Sequence, residues 1–415
     1  MKILHINTFD TGGAAIAAIR LHKALLSYGI ESYMLFAKKR RDDIPNAVEF
    51  KPPIKTKFNS ILYRIQRKLG YKKNYWEISH QKLAGRVEGF ESFSFSFSDY
   101  DITTQEIYKQ ADIINLHWIS GFLDYKFFRL NTKPVVWTLH DMNPFTGGCH
   151  YSHNCYSFRS NCLKCPQLAG TKDINLSAKI LKRKHKYLKE NTITLVALNQ
   201  WMKKNTQSSV LFDNYDVTII PNSLDQNIFK PLSQKWARKI FNLPVDKTIL
   251  LFNSEKVTNF RKGFDLLYDC VNKLNSDFHF CAVGSMEELP KCDNITFINK
   301  ISDERLMAIL YNSIDGVIIP SREDNLPNVI LESLSCGKPV LTFPVGGIPD
   351  HIVHGKTGLL AKEISAVDLQ NIIIEFLQIK DKFNKDYIRN YALKSFSPEI
   401  QSQKYAELYK KKLKI

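Results

Sequence analysis

Residues 316–343 read GVIIPSREDNLPNVILESLSCGKPVLTF. Two short apolar runs, GVII and PVLTF, flank the stretch NVILESLSC, whose apolar residues recur with helical spacing. Gly337 follows this stretch at the position where many helices end. A strand, a loop, a helix and a second strand in this order form a βαβ unit, whose two strands are parallel. The stretch therefore predicts a parallel sheet covered by helices.

The same alternation extends along the whole chain of 415 residues, which is too long for one ordinary core. Strand-like runs in the first half are KILHINTF, ESYMLFA, ADIINLHWI, KPVVWTLHD, ITLVALN and VTIIPN, and in the second half TILLFN and FHFCAVG. We predict the α/β fold class with two doubly wound, Rossmann-like domains over residues 1–228 and 229–385. Helices over 386–415 are expected to pack back on the first domain.

The positive charge is concentrated in the first half of the chain. The formal net charge is +17, and residues 1–200 hold 30 Lys and Arg against 16 Asp and Glu. An anionic substrate, an anionic membrane surface or nucleic acid would each explain this excess, as would a surface that is simply basic. The chain lacks the interleaved basic and aromatic pattern of a nucleic-acid-binding module, so we expect no nucleic-acid partner.

Residues 51–76 interrupt the alternation with eight Lys or Arg and no acidic residue. Their apolar residues share one helical face, which is typical of a helix at a membrane interface and equally of a surface helix that packs on its own sheet. No apolar run reaches the length of a membrane span, and the start of the chain lacks the apolar core of a secretory signal. We expect a cytoplasmic protein, with peripheral contact to the inner face of the membrane as one interpretation.

Polar residues with useful chemistry follow the predicted strands, where open parallel sheets bind their ligands. Gly12 and Gly13 follow the first strand and allow a ligand to approach the backbone closely. His117 and His140 each end a strand, where they either contact sugar or phosphate oxygens or are ordinary core histidines. Lys262 lies between a strand and a helix, where its charge favours an anion.

Two acids bracket the start of the helix in the quoted stretch. Asp324 lies in the loop, and Asn325 and Pro327 occupy the positions expected for the N-cap and first turn of the helix. Glu332 lies about two turns further along. This separation argues against an acid and base that flank one bond, so we expect the two acids to hold different parts of one ligand.

Four cysteines are grouped in CHYSHNCYSFRSNCLKC. The last pair has the spacing of a zinc site, whereas the first pair is more widely spaced than usual. Two interpretations stay open: a structural zinc site, or free thiols and disulfides. The residues concerned are Cys149, Cys155, Cys162 and Cys165.

Taken together, these motifs resemble the retaining glycosyltransferases of the GT-B fold, family 4. The resemblance rests on GGAAIAAIRLHKAL, TLHD, IIPNSLD with IFKP, FRKGFDLL, AVG and the stretch from PSREDNLP to KTGLLA, and it covers essentially the whole chain. The runs LHWISGFL and WTLHDMNPFTGGCHYSHNC resemble a subgroup that acts in bacterial exopolysaccharide and capsule assembly. The resemblance implies two domains that face each other across a cleft.

The resemblance also implies roles for individual residues. Asp324, or its neighbour Glu323, would contact the donor sugar, and His140 would lie near the reacting centre. Gly12, Gly13 and His117 would line the loop near phosphate and acceptor, and Asn222 and Asp225 would lie between the domains. The residues implied in donor binding are Lys256, Arg261, Lys262, Asn325, Leu326, Asn328 and Glu332.

The implied activity is transfer of a sugar from a nucleoside-diphosphate sugar to a hydroxyl of a glycan or lipid-linked acceptor, with retention of anomeric configuration. A lysine and a helix N-terminus would stabilise the leaving diphosphate, so no catalytic metal and no further cofactor is expected. The alternatives are another GT-B enzyme, such as a nucleotide-sugar epimerase or phosphorylase, and, more remotely, a basic nucleic-acid-binding protein.

Overall fold

A computed structural model describes residues 1–52, 73–189, 191–271, 273–274, 277–285, 292 and 294–415. Most of the basic segment 51–76, namely residues 53–72, lies outside the described residues, so its predicted amphipathic helix is not tested. The described chain divides into two compact units. The first unit comprises Met1–Leu198, Met202–Ile220 and Ser402–Ile415, and the second comprises Asn199–Trp201 and Pro221–Gln401.

The first unit is built on a parallel sheet with the order β3-β2-β1-β4-β5-β6-β7 among the described residues. Its strands are β1 (Lys2–Phe9), β2 (Glu31–Lys38), β3 (Ala47–Glu49), β4 (Ile113–Leu116), β5 (Val135–Leu139), β6 (Ile193–Ala197) and β7 (Val217–Ile219). Its helices are α1 (Gly13–Ser27), α2 (Tyr75–Leu83), α3 (Glu106–Gln110), α4 (Phe127–Leu130), α5 (Leu176–Leu188) and α6 (Gln200–Gln207), whose first residues belong to the second unit.

The second unit repeats this topology in the order β10-β9-β8-β11-β12-β13. Its strands are β8 (Thr248–Lys256), β9 (Phe278–Ser285), β10 (Ile295–Ile298), β11 (Gly316–Ile319), β12 (Val340–Thr342) and β13 (Gly358–Leu360). Its helices are α7 (Gln234–Ile240), α8 (Phe264–Val271), α9 (Glu304–Ser313), α10 (Asn328–Ser335), α11 (Ala366–Ile379) and α12 (Lys385–Ser395). The two parallel-sheet α/β domains expected from the alternation are confirmed.

Both sheets use the strand order of the Rossmann fold, in which the order reverses at one point. In the first unit this switch point lies between β1 and β4, and in the second between β8 and β11. The loops that follow these strands are therefore where each sheet can hold a ligand. Gly12 and His117 follow β1 and β4, and Lys262 and Asp324 follow β8 and β11, whereas His140 follows the next strand, β5.

The last helix, α13 (Pro398–Leu413), returns the end of the chain to the first unit. The hydroxyl of Tyr405 lies 2.8 Å from Thr138 Oγ1, and Asn115 Nδ2 donates to the Tyr409 hydroxyl at 2.8 Å. Both tyrosines belong to a core cluster that includes Ile3. Residues 386–401, however, remain with the second unit, because α12 packs against α10.

Two details differ from the expectation. The chain changes unit after Ile220 rather than at residue 228. Helix α10 begins at Asn328 with Pro327 at its N-cap, so Asn325 is not the cap and lies in the loop before it. Pro327 has extended backbone geometry there, which suits a residue that precedes a helix. Among the described residues, no helix combines the length and apolar character that crossing a membrane requires.

Candidate functional site

The switch point of the second sheet brings a carboxylate and two cations together. Lys262 Nζ donates to Asp324 Oδ2 at 2.7 Å, and Arg261 Nη1 lies 3.2 Å from the same oxygen. Arg261 also donates to the backbone oxygen of Glu323 at 2.7 Å. Lys262 precedes α8 and Asp324 precedes α10, and these segments meet because β8 and β11 are neighbours. The predicted sugar-binding acid and diphosphate-binding lysine therefore form one cluster.

The Asp324 carboxylate is ionised in this setting. Asp324 is only 4% exposed, and burial alone would raise its pKa. Lys262 and Arg261 outweigh burial and lower the pKa of Asp324 to about 2. Asp324 thus offsets one of the two positive charges of Lys262 and Arg261. Its neighbour Glu323 is half-buried.

Glycines let the surrounding loops pack tightly on this cluster. Gly346 has a φ of 57°, and a side chain there would place a Cβ 1.7 Å from the backbone oxygen of Asp324. Gly263 has a φ of 73°, and its Cβ would lie 1.9 Å from the Pro320 oxygen. Both positions need a residue that adopts left-handed backbone geometry without a side chain. The glycine-rich sequence after β12 therefore serves to anchor the Asp324 loop.

Glu332 lies on the buried face of α10, where a tyrosine orients it. The Tyr311 hydroxyl donates to Glu332 Oε2 at 2.8 Å, and Asn253 Nδ2 donates to that hydroxyl at 3.2 Å. Burial and the nearby Glu332 raise the pKa of Tyr311 well above its usual range, so the hydroxyl keeps its proton. Sequence reasoning missed Tyr311, because an apolar-looking position in a helix carries no signal of its hydroxyl partner.

Among the other predicted donor-binding residues, Asn325 contacts the cluster directly, because its backbone N–H donates to Asp324 Oδ1 at 3.1 Å. Asn325 and Leu326 are buried in the loop, and Asn328 is the first residue of α10. Lys256 ends β8 with an exposed side chain. Of the two residues predicted to lie between the domains, Asn222 is buried, whereas Asp225 is exposed and accepts from the backbone N–H of Asn227 at 2.8 Å.

The segments that follow β1, β4 and β5 of the first sheet carry the predicted glycines and histidines. Gly12 is the N-cap of α1 with a φ of 92°, and Gly13 begins the helix. His117 follows β4 and His140 follows β5, and the two side chains line a small pocket with Trp118, Ser120 and Asn143. His117 Nδ1 lies 3.0 Å from His140 Nε2, so the structure brings both predicted histidines together.

Behind this pocket lies a buried network that sequence reasoning did not foresee. His150 Nδ1 donates to Asp141 Oδ2 at 2.6 Å, and His150 Nε2 lies 2.8 Å from Ser94 Oγ. Burial would raise the pKa of Asp141, but His150 outweighs this effect and keeps the pKa below its usual value. The fully buried Lys184 donates to the Asn143 carbonyl, and burial lowers the pKa of this lysine to about 7. The network holds the pocket-lining Asp141 ionised.

The four clustered cysteines are free thiols in the structure. Cys162 and Cys165 are buried, and Cys149 and Cys155 are half-buried. Burial raises the pKa of Cys162 to about 11, so this thiol is protonated. No group of three or more His, Cys, Asp or Glu side chains in the described ranges is arranged to hold a metal ion. The structural zinc stays a prediction.

Comparison with known proteins identifies the second unit most directly. Residues 247–378 match the family model described as glycosyl transferases group 1. An uncharacterized glycosyltransferase of Methanocaldococcus jannaschii is 24% identical over 70% of this chain and 82% of its own. A putative colanic acid biosynthesis glycosyl transferase of Escherichia coli, WcaC, is 22% identical over 82% of both chains.

A third relative matches a shorter segment. It is the N,N'-diacetylbacillosaminyl-diphospho-undecaprenol alpha-1,3-N-acetylgalactosaminyltransferase of Campylobacter jejuni, 27% identical over 42% of this chain and 47% of its own.

Solved structures agree on the fold over the full length. Sucrose-phosphate synthase from Thermosynechococcus elongatus superimposes with a TM-score of 0.67 at 17% identity and covers 99% of both chains. Anabaena HepE in complex with UDP and glucose gives a TM-score of 0.66 at 15% identity, again over 99% of both chains. The second unit is therefore similar to the glycosyl transferases group 1, and the chain as a whole has the GT-B fold of these solved structures.

Proposed function

We propose that this chain is a retaining glycosyltransferase of family 4 that uses a nucleoside-diphosphate sugar and acts in bacterial polysaccharide biosynthesis. The observation that carries the proposal is the cluster of Lys262, Arg261 and Asp324 at the switch point of the second sheet. It lies in the segment that matches the group 1 family. The complex of HepE with UDP and glucose supports a nucleotide-sugar donor, and WcaC supports a role in polysaccharide assembly.

The acceptor in this proposal is a hydroxyl of a glycan or of a lipid-linked sugar. The Campylobacter jejuni relative, whose name specifies a diphospho-undecaprenol-linked substrate, supports the lipid-linked alternative. The first unit would hold the acceptor at the pocket lined by Trp118, His140 and Asn143, where an indole and polar side chains adjoin. Aromatic faces beside hydrogen-bonding groups suit the mixed apolar and polar surface of a sugar ring.

The donor diphosphate would exchange places with a carboxylate. In the structure the Asp324 carboxylate forms ion pairs with Lys262 and Arg261. A diphosphate carries more negative charge than one carboxylate, so it would draw the cations from Asp324 and release this acid to accept from sugar hydroxyls. The N-terminus of α10 adds positive potential, because the peptide dipoles of a helix point their positive ends towards its first turn. Glu332, oriented by Tyr311, would hold the ribose.

The transfer step follows from these contacts. The bond between the anomeric carbon and the diphosphate breaks, and negative charge grows on the leaving oxygen. Lys262 and Arg261 stabilise that charge, so the step does not require a divalent cation. The acceptor hydroxyl attacks from the same face, and its proton passes to the leaving phosphate oxygen. The product therefore retains the anomeric configuration of the donor.

Nucleotide binding is the direct test. The protein is heated with a panel of nucleoside diphosphates and nucleotide sugars, and one nucleotide at about 100 times its Kd should stabilise it by about 2.7 kcal/mol. Lys262→Ala and Glu332→Ala should each weaken binding of that nucleotide about 10- to 100-fold, because each substitution removes a charged partner of the ligand. Lys300→Ala is the matched control, because Lys300 is an exposed lysine of the second unit whose ion pair, within the described residues, is with the exposed Glu255.

Two results would contradict the proposal. The assignment of the donor site is wrong if no nucleotide or nucleotide sugar stabilises the protein. It is also wrong if Lys262→Ala and Lys300→Ala bind the nucleotide equally well. Retention is tested separately by the anomeric coupling constant of the transferred sugar in the NMR spectrum of the product. A product with inverted anomeric configuration would overturn the proposed stereochemistry but would not affect the assignment of the donor site.

A further inference from the structure

Three histidines from neighbouring strands of the first unit form a continuous hydrogen-bonded row. His5 lies on β1, and its Nδ1 is 2.9 Å from His117 Nε2. His117 Nδ1 is in turn 3.0 Å from His140 Nε2. The rings stack with centroids 5.1 and 5.2 Å apart. His5 and His117 are buried, and His140 is half-buried at the pocket.

All three rings are neutral at physiological pH. Burial lowers the pKa of His5 and His117 well below the usual value, and it lowers the pKa of His140 to about 4. A neutral imidazole has one N–H donor and one acceptor nitrogen. Because His117 uses both nitrogens in the row, it donates at one and accepts at the other. The two hydrogen bonds must therefore run in the same direction.

The far end of the row indicates that direction. His5 Nε2 is buried and has no hydrogen-bond partner in the described part of the chain. If protons pointed from His140 towards His5, this nitrogen would carry a buried and unpaired N–H. Orphaned buried N–H groups are rarer than under-satisfied acceptors. The favoured arrangement has His5 donate to His117 and His117 donate to His140.

We infer that His5 and His117 are positioning residues that hold His140 with its proton on Nδ1. His140 Nε2 then accepts from His117, and His140 presents Nδ1–H as a donor. In the opposite tautomer the same atom would be an acceptor, so the row decides which ligand oxygens His140 can bind. This inference explains why His117, whose ring nitrogens contact other histidines, need not touch the ligand itself. Its consequence for sugar transfer rests on the proposed function.

The tautomers can be read directly by NMR on the full chain labelled with ¹⁵N-histidine. Two-bond couplings between ring protons and nitrogens distinguish Nδ1–H from Nε2–H. At pH 7 we expect Nδ1–H for His117 and His140 in the wild type. In His117→Phe, His140 loses its donor at Nε2, and a population with Nε2–H should appear. The inference fails if wild-type His140 carries its proton on Nε2, or if His117→Phe leaves its tautomer unchanged.

His22, a buried histidine outside the row, provides the matched control. His22 lies beside His5 with ring centroids 6.0 Å apart, but its nitrogens bond to Ser32 Oγ and the Pro45 carbonyl. His22→Phe should cost stability and leave the His140 tautomer unchanged. A change in the His140 tautomer in His22→Phe would show that any core defect has this effect, which would overturn the inference.

Activity separates this inference from the proposed function. His117→Phe should lower kcat for sugar transfer about tenfold or more, as expected when a donor near the reacting centre is misdirected. His117→Gln, whose amide both donates and accepts, should recover part of the loss. A wild type with the expected tautomers but no transfer from any nucleotide sugar would refute the proposed function and leave the histidine row intact. If His117→Phe does not fold, the wild-type NMR spectrum and the His117→Gln variant still test the inferred tautomer of His140.

Discussion

The substitution Asp324→Asn tests the charge cluster most sharply. It keeps the shape of the side chain but removes the negative charge that pairs with Lys262 at 2.7 Å and Arg261 at 3.2 Å. Arg261 is only 7% exposed, so its charge loses its partner in a place where water cannot fully replace it. We expect a clear loss of stability in the second unit at neutral pH.

The magnitude follows from proton linkage. The folded structure lowers the pKa of Asp324 from 3.8 to about 2, and each pKa unit corresponds to about 1.4 kcal/mol. Ionised Asp324 therefore contributes about 2 kcal/mol, and the loss of one partner of a buried ion pair raises the expected cost to about 2–4 kcal/mol. Since the pKa is lowered, this contribution is complete above about pH 4 and is lost as the pH falls towards 2.

Urea unfolding of the wild type and Asp324→Asn at pH 7, and again at several values between pH 5 and 2, measures this contribution. The control is Asp265→Asn, because Asp265 pairs with Arg322 through a half-exposed side chain and should contribute no more than about 1 kcal/mol. The difference between wild type and Asp324→Asn should shrink as the pH falls. Equal stability at pH 7, or a difference that does not depend on pH, would refute the reasoning.

Two further substitutions probe how the site is held in place. Gly346→Ala should destabilise the protein by about 2 kcal/mol or more in thermal unfolding, because it combines left-handed strain with a Cβ that collides with the Asp324 backbone. Gly355→Ala is the control, because Gly355 has a similar φ and no atom within 4 Å of an added Cβ, so the substitution should cost only about 1 kcal/mol. Equal losses of stability in the two variants would show that the collision at Gly346 does not contribute. Tyr311→Phe removes the donor to Glu332 and should weaken nucleotide binding about tenfold in calorimetry. It should also reduce the preference for ribose over 2′-deoxyribose, and an unchanged preference would rule out this role for Tyr311.

Much of the fold could be predicted because its signals are local. Near-continuous apolar runs such as β1 and β11 mark strands buried on both faces, and the glycine after α10 marks its end. The strands that sequence reasoning missed, β3, β10 and β13, lie at or near the edges of the sheets. They are short, and exposed or half-buried residues interrupt their apolar pattern.

The sequence by itself determined the two parallel α/β units and the residue types that follow their strands, because both depend on periodicity and turn chemistry within a few residues. Only the tertiary structure decided which of these residues meet. Lys262 and Asp324 are 62 residues apart, and they form an ion pair because β8 and β11 are neighbours in the sheet. His5 reads as an ordinary core residue of β1 until strand order places His117, 112 residues away, at its ring. Strand order is a long-range property, so no local pattern encodes these partnerships.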